Sequence, residues 1–85
     1  MAKILIADDN PEMRLMLVLY LQQQGHLVIE ARDGQDLLYW IKEELPDVIL
    51  LDLAMPNLDG WRTLEKLKAD PAYKNIPVLI VSAKN

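Results

Sequence analysis

The chain opens on an apolar run, "KILIA" at 3–7, with almost no polar alternation. Such a run fits a short strand covered on both faces. "DDNPEM" follows, where Pro11 suits the first position of a helix and Asn10 or Asp9 can cap it. Met13, Met16, Leu17, Tyr20 and Leu21 then recur at helical spacing, and Leu15, Val18 and Leu19 widen the stripe nearly all round. A helix this apolar expects cover on more than one side. Gly25 supplies its stop.

"HLVIEA" at 26–31 is a second strand. "RDGQDLLYWIKEEL" carries a second helix with Leu37, Leu38, Ile41 and Leu45 on one side, ended by Pro46. "DVILLD" at 47–52 is the third strand. A third helix is expected from about Asp59, with Trp61, Leu64 and Leu67 inward. "PAYKNIP" is a loop, and "VLIVSA" at 78–83 is a fourth strand. The order βαβαβαβ predicts an α/β layered fold with a parallel sheet and right-handed crossovers. In such sheets ligands bind beyond the carboxyl ends of the strands, where the strand order reverses.

That rule directs attention to the strand ends. Strand one ends in Asp8 and Asp9, strand three in Asp52 and strand four in Ser82. If strands one and three are neighbours, three carboxylates converge, and like charges so close oppose one another's ionisation. A hard divalent cation relieves the repulsion, and an oxygen-only donor set of this charge suits Mg²⁺. A carboxylate beside such a cation can accept a phosphoryl group, and a hydroxyl such as Ser82 can hydrogen-bond it. Each residue also has a plain structural reading: Asp8 and Asp9 as helix caps, Asp52 as a strand-end turn residue. The conjunction favours the chemical one.

Gross properties narrow the classes. Eighty-five residues make one domain, 1–85. The net charge of −4, from 13 acids against 9 bases, argues against direct nucleic-acid binding. There is no cysteine, hence no thiol nucleophile or cysteine metal site. No apolar run is long enough to span a bilayer, and "MAK" leads straight into a strand, so a cytoplasmic protein without membrane partners is expected.

Together "ILIADDNPEMR", "VILLDLAMPNLDGW" and "VLIVSAKN" resemble the receiver domain of two-component response regulators, from Lys3 to the last residue. The resemblance implies a flavodoxin-like sheet. It also implies that Asp52 takes a phosphoryl group from a phosphohistidine on a sensor histidine kinase or a phosphotransfer protein. By the same likeness Asp9 binds Mg²⁺ directly, Asp8 mainly through water, and the backbone carbonyl of Ala54 is a further ligand. Ser82 bonds the phosphoryl oxygen as part of the switch, and Ala54 and Lys84 flank the site. Such a module is a phosphoacceptor and not a turnover enzyme.

In the family the domain continues through a helix, a fifth strand and a final helix, about 35 residues beyond the position that matches Asn85. A truncated receiver is therefore expected. It lacks the family's fifth-strand lysine and aromatic switch residue, and its final helix would have shared a face with the first. An open strand edge and an uncovered apolar helix predict self-association as a dimer. Two rivals stand beside the signalling reading. One is a receiver fragment that cannot be phosphorylated and only associates. The other is a Mg²⁺-dependent phosphohydrolase of the haloacid-dehalogenase type, which wants a second acid two residues after the nucleophile; Ala54 and Asn10 occupy those positions. His26, the one histidine, reads as a surface residue at a strand start, and Trp40 and Trp61 as packing anchors.

Overall fold

The computed structural model describes residues 1–53 and 60–81. Among these residues the chain forms four strands and three helices in alternation: β1 (Lys3–Ala7), α1 (Pro11–Gln23), β2 (Leu27–Ala31), α2 (Gly34–Glu43), β3 (Val48–Leu51), α3 (Gly60–Ala69) and β4 (Val78–Ile80). The expected flavodoxin-like α/β architecture is what is found. All pairings are parallel and the sheet order is β2-β1-β3-β4.

The topology explains the layers. The step from β1 to β2 runs one way along the sheet, and the steps to β3 and β4 run the other way. With crossovers of one hand, reversing direction sends the helix to the opposite face. α2 and α3 accordingly share one face, where Leu37, Ile41 and Leu67 bury against Leu5, Ala7, Ile49 and Leu51. α1 covers the other face, where Val18 packs with Ile4, Ile6 and Leu50. Because β1 and β3 are covered on both faces, their side chains are apolar at successive positions. Each fully buried Leu or Ile contributes roughly 1.5–3 kcal/mol relative to exposure.

Local chemistry sets the helix ends. Asn10 caps α1, its side chain accepting from the N–H groups of Glu12 (3.0 Å) and Met13 (3.1 Å), with Pro11 in the first helical position. At the far end the His26 N–H donates to the Leu21 carbonyl (3.1 Å) and the Gly25 N–H to that of Gln22 (3.0 Å). That pair of bonds is a Schellman closure, and it requires the left-handed conformation that Gly25 adopts at φ 89°. α2 is capped by Asp33, whose carboxylate accepts from the Asp36 N–H at 2.9 Å. Asp36 in turn accepts from the N–H of Arg32 at 3.0 Å.

Several packing expectations need correction. On α1 the inward stripe is Leu17, Val18 and Leu21, headed one turn earlier by Arg14, while Met13, Met16, Leu19 and Tyr20 are exposed. A helix apolar nearly all round carries no pattern that fixes its rotation, and the buried stripe lies one residue on from the spacing of Met13, Met16 and Tyr20. Leu45 lies past the end of α2 and is exposed, not on its inner side. Trp61 is 63% exposed and is no packing anchor; the inward residues of α3 are Thr63, Leu64 and Leu67. Trp40 does pack against the core. His26 is half-buried, its Nδ1 accepting from the Ala2 N–H at 3.1 Å, which ties the start of the chain to β2. Among the described residues no helix is long and apolar enough to cross a membrane.

Candidate functional site

The site is built by strand register. Ala7 stands level with both Ala31 and Leu51, so β1, β2 and β3 finish together. The ladder runs one residue further on each side: the Asp52 N–H donates to the Ala7 carbonyl (3.0 Å) and the Asp8 N–H to that of Ala31 (3.3 Å). These bonds hold Asp8 and Asp52 side by side just past the sheet, at the gap between β1 and β3. There the crossovers diverge, and the sheet leaves a crevice.

Carboxylate oxygens of Asp8, Asp9 and Asp52 all lie within 4.8 Å of one another. Asp8 is only 4% exposed, Asp52 is half-buried and Asp9 is exposed. The capping alternative is settled by Asn10, which makes the α1 cap itself and leaves Asp9 outside it. Asp8 accepts instead from the Asn10 N–H at 2.9 Å, which closes the turn between β1 and α1.

The electrostatics follow from this crowding. Burial, chiefly, holds the Asp8 carboxyl above its ordinary value of 3.8. The Asn10 N–H pulls it down, while the charges of Asp52 and Asp9 and a side-chain hydrogen bond to Asp52 push it up. The three acids therefore present more negative charge than the pocket holds comfortably. Oxygen-only donors at this spacing fit a small hard dication such as Mg²⁺, which keeps part of its water shell when bound by few carboxylates. Ala54, Ser82 and Lys84, the other expected site residues, lie outside the described residues, as do Met55 and Pro56 of the turn after Asp52.

Two features of the surroundings were not singled out from the sequence. Gly60, the first residue of α3, donates its N–H to the Leu53 carbonyl at 3.1 Å. A Cβ there would collide with the Leu53 Cα and the Asp52 carbonyl oxygen, so α3 approaches the site backbone as only glycine allows. Arg14 donates from Nη1 to the Asp8 carbonyl (2.6 Å) and from Nε to Glu30 Oε1 (3.1 Å). One signal for Arg14 was present: it is the sole basic side chain of α1 and stands in its apolar stretch.

The description "Response regulator receiver domain" fits residues 4–85 by comparison with family models. Protein PilH of Pseudomonas aeruginosa is 40% identical over 85 residues, which is 100% of this chain and 70% of PilH. Response regulator GtcR of Aneurinibacillus migulanus is 42% identical over 82 residues, covering 96% of this chain but only 33% of GtcR. Among solved structures, the N-terminal domain of a response regulator receiver protein from Methanoculleus marisnigri JR1 superposes with a TM-score of 0.95 at 40% identity. That match covers 99% of this chain and 68% of the other.

Proposed function

Because this chain belongs to the family of response regulator receiver domains, we propose that it accepts a phosphoryl group on Asp52 from a phosphohistidine of a sensor histidine kinase or phosphotransfer protein. The observation that carries the reading is the clustering of Asp8, Asp9 and Asp52 within 4.8 Å at the carboxyl edge of the sheet. An Asp52 oxygen attacks phosphorus as the P–N bond breaks. The imidazole leaves neutral, keeping the proton on its other ring nitrogen. The products are an aspartyl phosphate and a free histidine, with no net gain or loss of protons.

The chain's residues divide the work. β3 delivers Asp52 to the crevice while keeping it half-buried, which limits competing water. Asp9, Asp8 and Asp52 would hold Mg²⁺, with the Ala54 carbonyl as a further ligand. When bound, the cation neutralises charge on the transferring group. Ser82 hydrogen-bonds a phosphoryl oxygen. The chain then acts as a signalling module, and no bound substrate is turned over repeatedly.

The test is mass spectrometry after incubation with a small phosphoramidate donor and Mg²⁺. A gain of about 80 Da that is absent from Asp52→Asn supports the reading. No adduct, or one that persists in Asp52→Asn, overturns it.

A second reading concerns association of the 85-residue chain. Met16 and Tyr20 on α1 and Leu79 and Ile80 on β4 are exposed, and among the described residues β4 is the edge strand of the sheet. Apolar surface beside an unpaired strand edge favours pairing with a second copy. Sedimentation is expected to show a concentration-dependent dimer; a compact monomer at high concentration rules it out.

A further inference from the structure

Arg14 is a nearly buried cation that the phosphotransfer reading does not use. It stands on the inward stripe of α1, one turn before Leu17 and Val18, and its side chain is 15% exposed. A guanidinium in that position must find acceptors, since a buried unpaired charge is costly. It finds two, one just past the end of β1 and one on β2. Nη1 takes the Asp8 carbonyl at 2.6 Å, and Nε takes Glu30 Oε1 at 3.1 Å. Glu30 belongs to β2, level with Ile6 of β1. One side chain thus ties α1, the end of β1 and β2 together.

The Asp8 carbonyl is the oxygen of the peptide that joins Asp8 to Asp9. Its orientation sets the direction in which the chain leaves β1, and hence where Asp9 points. Asp9 needs such help from the backbone. It is exposed, it takes no part in the α1 cap, and its carboxylate accepts no hydrogen bond from the described residues. Asp8, by contrast, is held by the Asn10 N–H and by burial.

We propose that Arg14 is a positioning residue for the divalent cation: by gripping the Asp8 carbonyl, with Glu30 aiming it, it holds the Asp8–Asp9 peptide so that both carboxylates face one ion. The inference rests on the Mg²⁺ reading of the acid cluster. The planar fork is essential to it, because two donors at a fixed spacing bridge two acceptors, as a single ammonium does not.

The test is Mg²⁺ binding by calorimetry, on the 85-residue chain, in buffer where urea unfolding shows each variant to be folded. Arg14→Gln is expected to weaken Mg²⁺ affinity about tenfold, the scale seen when groups that orient metal ligands are removed. Arg14→Lys is expected to recover little of it. Glu30→Ala, an exposed change that leaves the core intact, is expected to weaken affinity about threefold in wild type and not at all in an Arg14→Gln background, because the two act as one unit. A merely structural arginine would lower the urea midpoint and leave the affinity of the folded protein unchanged; that result overturns the proposal. If Arg14 variants do not fold, Glu30→Ala decides alone, and wild-type affinity in it is also an overturning result. Failure of the wild type itself to bind Mg²⁺ would instead remove the metal reading on which the inference stands.

Discussion

Replacing Gly60 by alanine tests how tightly α3 is docked beside Asp52. Alanine is the better helix former, by about 0.5–1 kcal/mol in a helix interior and less in a first turn. The structure opposes that gain. The new Cβ would fall on the Leu53 Cα and the Asp52 carbonyl oxygen, and 2.8 Å from the Leu53 carbonyl carbon. All three atoms are backbone, so no side chain can swing aside. Forcing atoms into such a contact costs about 1–3 kcal/mol. If α3 withdraws instead, the 3.1 Å bond from the Gly60 N–H to the Leu53 carbonyl is lost, at about 1 kcal/mol. With a first-turn propensity gain of up to about 0.5 kcal/mol set against it, the net expectation is a loss of about 0.5–2.5 kcal/mol, or roughly 2–20 °C in Tm for a domain of this size. Urea unfolding followed by circular dichroism, without Mg²⁺, should show a lower midpoint at unchanged slope.

Gly25 provides the control. A Cβ there meets nothing within 4 Å, but the residue sits at φ 89°. Its alanine variant should lose about 1–2 kcal/mol through backbone conformation alone. Asparagine, which tolerates that conformation, should recover part of the loss at 25 and none at 60. A Gly60→Ala protein as stable as wild type would refute the reasoning, because it would mean that helix propensity outweighs the backbone contact.

Other expectations follow from the same packing and charge. The Asp8 carboxyl is held above 3.8, mainly by burial, so as pH rises past 3.8 the folded protein gives up that proton later than the unfolded chain does. Its contribution is therefore fully present below 3.8 and is lost as pH rises through the folded value. Asp8→Asn without Mg²⁺ should gain stability over wild type progressively from weakly acidic to neutral pH, read from urea midpoints, and should bind Mg²⁺ more weakly in calorimetry. Leu67→Ala should cost about 2–5 kcal/mol in the same unfolding assay, because Leu67 is buried between α3 and the sheet. Trp61→Ala should stay within about 0.5 kcal/mol of wild type, since Trp61 is largely exposed. Asn10→Ala should cost about 1 kcal/mol through the lost α1 cap.

Much of the architecture was legible because periodicity and punctuation agree. "KILIA" is β1 residue for residue, Pro11 begins α1, and Gly25 closes it. These signals are local: an apolar run, a fixed φ, a residue that accepts positive φ. The acids at the strand ends were legible for a related reason. A parallel strand delivers the residues after its last apolar position to the carboxyl edge wherever it sits in the sheet. That Asp8, Asp9 and Asp52 meet depended on one further fact, the adjacency of β1 and β3.

What one-dimensional pattern left open was rotation and reach. Met13, Met16 and Tyr20 match helical spacing as well as Leu17, Val18 and Leu21 do, and only docking on Ile4, Ile6 and Leu50 selected the second set. Trp61 looked inward by period, yet the close approach of Gly60 to Leu53 sets how α3 is turned and leaves the indole outside. The grip of Arg14 reaches Glu30, 16 residues further along the chain, and Asp8, 6 residues before it, and exists only once three elements are assembled. By itself the sequence determined where strands and helices lie and which acids reach the sheet edge, since both depend on near neighbours along the chain. Which face each helix buries, and what holds the acids in place, were decided by tertiary structure, since both depend on contacts between residues far apart along it.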